Sequence, residues 1–229
     1  MTGVQTCALP IYTEVVLQAL SHWGLSALTR FKGMFAIVLH DDVEKKVYLI
    51  RDFFGIKPLF YVKNESGLLG FASELPAIMT LPEVKKKVNP QRLYDYLLFG
   101  DYDSSAETMI EGVKHILPGH YIVIDSKTAN IIEETCNWKP ELGAIEKLSF
   151  SDSAEKLRTQ FLDNIRLHLR SDVSLGAALS GGVDSSSITA AILRLEPVYD
   201  LKTFTYVVSG NSSNEKYLVN LVITDTIAK

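Results

Sequence analysis

Ser174-Leu-Gly-Ala-Ala-Leu179, followed directly by Ser180-Gly-Gly-Val-Asp-Ser185, is the stretch whose reading settles the fold. The first six residues read as a short buried strand and the next six as a tight loop. Ser186 to Leu195 then reads as a helix stopped before Pro197. The adjacent glycines Gly181 and Gly182 let the backbone approach a ligand and take positive φ without a Cβ clash. The hydroxyls of Ser180 and Ser185 add donors, and the helix that follows aims its N-terminal amides at the loop. Such a loop suits a phosphate-type anion. Asp184 would repel a bare anion, so its natural partner is a Mg²⁺ bridging bound phosphates. The Walker lysine is absent, and so is G-x-G-x-x-G.

The same grammar extends on both sides. Leu201 to Val208 is β-rich, and Asn214 to Ala228 has a helical pattern. Upstream, Ser151 or Asp152 can cap a helix in which Leu157, Phe161, Ile165 and Leu169 recur every four residues. Alternating α and β predicts a doubly wound parallel sheet. Asn137 to Gly143 has the Pro/Gly content of a linker, which places a domain boundary near residues 137–150. Before it, the period changes. A helix over Thr13–Leu28, with Gly24 as a C-terminal stop, precedes four close-set strands read as an antiparallel meander: Met34–Leu39, Lys46–Arg51, Leu59–Val62 and Leu68–Ala72. A turn over Asn64–Gly67 separates the last two. Asn89-Pro90 caps a helix ended by Gly100. Tyr121–Ile124 and Asn130–Glu133 form a hairpin around Ser126–Ala129.

Composition bounds the rest. With 229 residues, 47% of them hydrophobic, 22% charged and a net charge of −4, the chain is neither disordered nor fibrous. It also lacks a sequence-wide basic field for nucleic acid. No run approaches the roughly 18 apolar residues of a membrane span, and two cysteines, Cys7 and Cys136, make no disulfide framework, so the expected compartment is the reducing cytoplasm. Cys136 reads as a lone core thiol and the five histidines as structural. Arg51, Asp52 and Lys57 read as ion pairs and turn residues between strands. Met1–Ile11 has neither helical nor alternating pattern and is set aside as a non-native leader. Lys229 ends a helix-like run without a stop signal, so the expectation is a chain truncated at both ends.

Ser180–Ser185 resembles the S-G-G-x-D-S pyrophosphate loop of the ATP pyrophosphatase fold. With Arg51-Asp52-Phe-Phe-Gly55-Ile-Lys57-Pro58-Leu59, Phe71-Ala-Ser-Glu74, Leu117-Pro118-Gly119-His120-Tyr121 and Leu169-Arg-Ser-Asp172-Val, the chain from Thr13 onward resembles glutamine-hydrolysing asparagine synthetase. The resemblance implies a partial, α+β, N-terminal-nucleophile-type glutaminase domain with antiparallel sheets over 12–140. Over 150–229 it implies the start of an α/β synthetase domain of the PP-loop type, with a doubly wound parallel sheet. ATP and Mg²⁺ would be held by Ala178, Ser180, Gly181, Gly182, Val183, Asp184 and Ser185, with Tyr206 at the adenine and Asp184 on the metal. Aspartate and glutamine are the other implied substrates. Neither nucleic acid nor membrane is an implied partner, and a homodimer is admitted.

The glutaminase half departs from the family pattern. The family's nucleophile is an N-terminal cysteine followed by Gly-Ile, whereas Thr2-Gly3 follow Met1 here and Cys7 lies in the leader. The N-G-E-I-Y-N oxyanion segment is absent, and Tyr12 stands where the family has the aspartate that anchors the glutamine amino group. No catalytic nucleophile is therefore expected among these residues. Glu215 lies near an acidic family position but reads as a solvated helix-start residue. Two alternatives stand beside asparagine formation: a related amidotransferase with another carboxylate acceptor, and an inactive nucleotide-binding remnant.

Overall fold

The computed structural model describes residues 10–63, 67, 69–206 and 219. The chain divides into two compact units, Met1–Leu142 and Gly143–Lys229. Residues 1–9 with Cys7, the turn residues Asn64–Ser66, Glu215 and nearly all of the last expected helix lie outside the described residues; Pro10 and Ile11, expected to belong to a patternless leader, open the first helix instead.

The first unit opens with α1 (Pro10–Trp23), which stops where Gly24 takes φ +58°. The chain continues as a 3-10 helix over Gly24–Arg30, so the single helix expected to Leu28 is two elements. β1 (Ala36–Asp41) and β2 (Lys46–Arg51) follow, then β3 (Phe60–Lys63), β4 (Leu69–Ala72), the one-turn α2 (Leu75–Ile78) and α3 (Pro90–Phe99). The Asn89 side chain accepts from the amides of Gln91 and Arg92 to start α3, and Gly100 at φ +70° ends it. β5 (Val113–His115), β6 (His120–Asp125) and β7 (Ile131–Cys136) complete the unit.

The strands form two antiparallel sheets, ordered β1-β2-β6-β7 and β4-β3-β5. The single meander is thus corrected: β1 and β2 belong to one sheet, β3 and β4 to another. The cause is the Asp52–Leu59 connection, which carries the chain out of the first sheet. The Asp52 carboxylate there accepts from the amides of Phe35, Phe54, Ile56 and Lys57 at 2.9–3.3 Å.

Side-chain alternation on β6 places the layers. Tyr121 and Val123 face Ala19, Leu20, Ala27 and Leu28 beneath the helices. Ile122 and Ile124 face Val47, Leu49, Leu59, Tyr61 and Ile116 between the sheets. Burial on both faces explains why Tyr121–Ile124 is apolar throughout. Each fully buried Leu or Ile contributes about 1.5–3 kcal/mol.

The second unit begins with α4 (Phe150–His168). Its cap is Ser149, two residues before the expected one, whose hydroxyl accepts from the Asp152 amide at 3.1 Å. β8 (Gly176–Ala178) leads through the glycine loop to α5 (Val183–Leu195), and β9 (Lys202–Phe204) returns parallel to β8. Phe161, Ile165 and Leu169 pack on Ala191, Ile192 and Leu195. Leu157, the fourth member of the expected stripe, is exposed, because the packing on α5 begins one turn later, at Phe161.

Candidate functional site

The loop is set by the pairing beneath it. Ala178 lies opposite Phe204 in the parallel register, and the Leu179 amide donates to the Phe204 carbonyl at 2.9 Å. The Thr205 hydroxyl donates to the Leu179 carbonyl at 2.7 Å. These bonds bring Ala178, the loop and the segment ending at Tyr206 to one end of the strand pair. Tyr206 is 82% exposed. Thr205 was not singled out from the sequence, because its role follows from a pairing register that a single strand pattern does not encode.

Gly181 takes φ +79°, a conformation costly for any other residue. Gly182 is the N-cap of α5, and a Cβ there would sit 3.4 Å from the Ser180 hydroxyl. The Ser180 amide donates to the Ser185 hydroxyl at 3.2 Å, and the two serine hydroxyls lie 3.1 Å apart. The first helical bond of α5 runs from the Ser186 amide to the Gly182 carbonyl at 3.0 Å. The helix therefore starts three residues earlier than the sequence suggested. Val183, Asp184 and Ser185 form its first turn, and their amides precede the intrahelical ladder. Asp184 is exposed, and no hydrogen bond or ion pair of its side chain is found among the described residues.

This donor set fits a polyphosphate: free amides, two hydroxyls and a helix N-terminus around a left-handed glycine. It also fits Mg²⁺, which keeps most of its water and takes one or two carboxylates plus phosphate oxygens. Asp184 would be that carboxylate.

The first unit uses its polar residues inwardly. The Arg51 guanidinium donates to the carbonyls of Gly55, Lys57 and Ile116 at 2.6–3.0 Å and to His115 Nδ1 at 3.0 Å. Arginine only donates, so Nδ1 accepts and Nε2 carries the proton given to the Ser105 carbonyl at 2.6 Å. Burial pushes the His115 pKa down, and that of Arg51 likewise. Arg51, Asp52 and the Lys57 backbone hold turns, bonded to main chain and, for Arg51, to His115 as well; none of the three residues forms an ion pair among the described residues. Phe53 stacks on Trp138 with centroids 5.1 Å apart. Cys136 is exposed at the end of β7, its thiol directed at the Trp138 carbonyl, so the expectation of a core thiol is corrected. It is the last residue of an edge strand, beyond the covered part of the sheet.

Along the chain, an antiparallel α+β unit is followed by a parallel strand–glycine loop–helix–strand unit. The glutamine amidotransferase domain model matches residues 6–135, and the asparagine synthase model matches residues 156–225. The chain belongs to the glutamine amidotransferase domain family, and the segment that follows matches the asparagine synthase family. It is 33% identical over 180 residues to asparagine synthetase [glutamine-hydrolyzing] 3 of Bacillus subtilis, covering 78% of this chain and 28% of that protein. A putative asparagine synthetase [glutamine-hydrolyzing] of Mycobacterium tuberculosis H37Rv is 33% identical over 198 residues, 84% of this chain and 29% of that protein. The amidase chry2 of Gibberella zeae is 29% identical over 185 residues, 80% of this chain and 26% of that protein. The chain thus spans less than a third of the length of these relatives. Among the described residues, no helix is long and apolar enough to cross a membrane.

Proposed function

We propose that the chain contributes to a cytoplasmic, ATP-dependent synthesis of asparagine. Aspartate is activated as β-aspartyl-AMP and then amidated with ammonia released from glutamine. The supporting observation is the Ser180–Ser185 loop, with its left-handed Gly181 and exposed Asp184, at the mouth of a parallel strand pair within the segment matched by asparagine synthase. On this reading 12–140 belongs to the glutaminase domain, and 150–229 opens a doubly wound PP-loop domain.

The amides of Val183, Asp184 and Ser185 and the hydroxyls of Ser180 and Ser185 hold the β- and γ-phosphates of ATP. Gly181 and Gly182 give the phosphates room, Ala178 borders the nucleotide and Tyr206 lies against the adenine. Asp184 holds Mg²⁺, which supplies neutralisation of the phosphate charge. The α-phosphate is left free for in-line attack by the aspartate carboxylate, with pyrophosphate leaving. The protein's share of that step is positioning and charge compensation. The residue that attacks glutamine is not assigned within this chain. The small-molecule substrates are ATP, aspartate and glutamine, with no role for nucleic acid or membrane, and the assembly is a homodimer.

Titration of the chain with ATP and Mg²⁺ by calorimetry tests the loop. Saturable binding that weakens in Asp184→Ala supports it, and equal affinity of parent and variant rejects it. Pyrophosphate release stimulated by aspartate in an enzyme carrying this segment supports the acceptor. Release stimulated only by another carboxylate replaces aspartate with that compound.

A further inference from the structure

The ladder between β8 and β9 stops at a side chain. In a parallel pair a residue donates to the carbonyl before its partner and accepts from the amide after it. Ala178 is paired with Phe204, so Leu179 faces Thr205. The Leu179 amide makes the first of its two bonds, to the Phe204 carbonyl at 2.9 Å. The second would run from the Tyr206 amide to the Leu179 carbonyl, and no such bond is found among the described residues. The Thr205 hydroxyl stands in its place, donating to that carbonyl at 2.7 Å.

Leu179 is buried, and a buried carbonyl needs a donor. The Tyr206 amide could supply one, but that rung would tie the Tyr206 backbone to the strand end from which Ser180 opens the glycine loop. With the Thr205 hydroxyl as donor, the carbonyl is satisfied and the backbone after Thr205 is released from the ladder. The release falls at the carboxyl ends of two parallel strands, where α/β sheets take their ligands. The loop's own bonds, between Ser180 and Ser185 and from Ser186 to Gly182, do not involve Thr205. Holding phosphates and placing what is attached to them are therefore separable tasks.

We propose that Thr205 is a positioning residue for the nucleoside half of ATP: its hydroxyl ends the ladder, so that Tyr206 stays apart from the phosphate loop and the nucleoside has its place between them. This rests on the reading of Ser180–Ser185 as an ATP loop and assigns a residue to the nucleoside side of that site. Calorimetry of the 229-residue chain with Mg²⁺ and either ATP or tripolyphosphate, which carries phosphates and no nucleoside, tests it. Thr205→Val keeps the shape of the side chain and removes the donor, leaving the Leu179 carbonyl to draw on the Tyr206 amide. The expected result is an ATP affinity at least about 10-fold lower, with tripolyphosphate affinity unchanged within about 2-fold. Thr205→Ser, which retains the hydroxyl, should bind ATP within about 3-fold of the parent. Far-UV circular dichroism confirms the fold of each variant, and Thr205→Ala, also without a donor, replaces Thr205→Val if the latter does not fold. Unchanged ATP affinity in the donorless variant overturns the proposal. An equal loss of both ligands also overturns it, because Thr205 would then be a prop of the whole loop. A parent chain that binds tripolyphosphate as tightly as ATP overturns the nucleoside placement and leaves the phosphate loop standing. A parent that binds neither overturns the ATP-loop reading together with this inference.

Discussion

Asp52 and Asp184 each follow a strand, sit beside glycine-containing turns and belong to motifs the sequence singles out, yet the structure uses them in opposite ways. Asp52 is 1% exposed, with amides from Phe35, Phe54, Ile56 and Lys57 donating to it. Asp184 is exposed, with its carboxylate left free by the described residues. A buried carboxylate ringed by backbone donors is a fastener, because nothing is left to offer a ligand. An exposed one on the first turn of a helix has its lone pairs available. Residue type and motif membership do not separate the two; the direction of the neighbouring amides does.

The contrast breaks most visibly at Asp52. In Asp52→Ala, the amides now bonded to the carboxylate lose their acceptor, and a loss of at least about 3 kcal/mol in unfolding free energy is expected. Urea denaturation followed by tryptophan fluorescence reads this, and a loss below about 1 kcal/mol would dissolve the distinction. Asp184→Asn should do the reverse. Stability should move by less than about 0.5 kcal/mol, while Mg·ATP affinity falls about 10- to 100-fold, the worth of a charge-assisted contact. An unfolding shift as large as that of Asp52 would make Asp184 structural.

Gly181→Ala sharpens the same line. At φ +79° an added Cβ costs about 1–2 kcal/mol. If the loop is shaped for phosphates, ADP and ATP affinities should fall together, which calorimetry reads.

The smallest effect concerns His115. Its folded pKa lies below the ordinary 6.5, chiefly through burial, so the unfolded chain binds the proton more readily. Stability should therefore be complete above about pH 6.5 and decline as the pH falls from there toward the folded pKa. A shift of one pKa unit corresponds to about 1.4 kcal/mol. His115→Gln should flatten that acid limb in thermal denaturation between pH 5 and 7. An unchanged slope would remove His115 from the network around Arg51.

Much of this was legible in one dimension. The α3 caps, Asn89 and Gly100, were readable because capping is a local bond between neighbours. The β6–β7 hairpin was readable because alternation and turn chemistry lie within a few residues. The Ser180–Ser185 loop stood out because glycine, hydroxyl and carboxylate at that spacing satisfy a chemical need. What escaped depends on distant partners. Nothing within β5 marks three residues as a strand until β3 lies beside them. The change of sheet after Arg51 depends on Asp52 meeting the Phe35 amide and on Arg51 meeting Ile116, 65 residues away. The exposure of Cys136 depends on where the covered part of its sheet ends.

The sequence by itself determined most of the elements, the order of an antiparallel unit and an alternating one, and the glycine loop between a strand and a helix. Propensity, capping and spacing are properties of neighbouring residues, so a single strand of text carries them. Tertiary structure decided which carboxylate is a fastener and which is free. It also decided that four strands divide between two sheets and that α3 buries an arginine while presenting its leucines to solvent. Burial and hydrogen-bond direction are set by groups far apart in the chain, and they exist only once those groups have met.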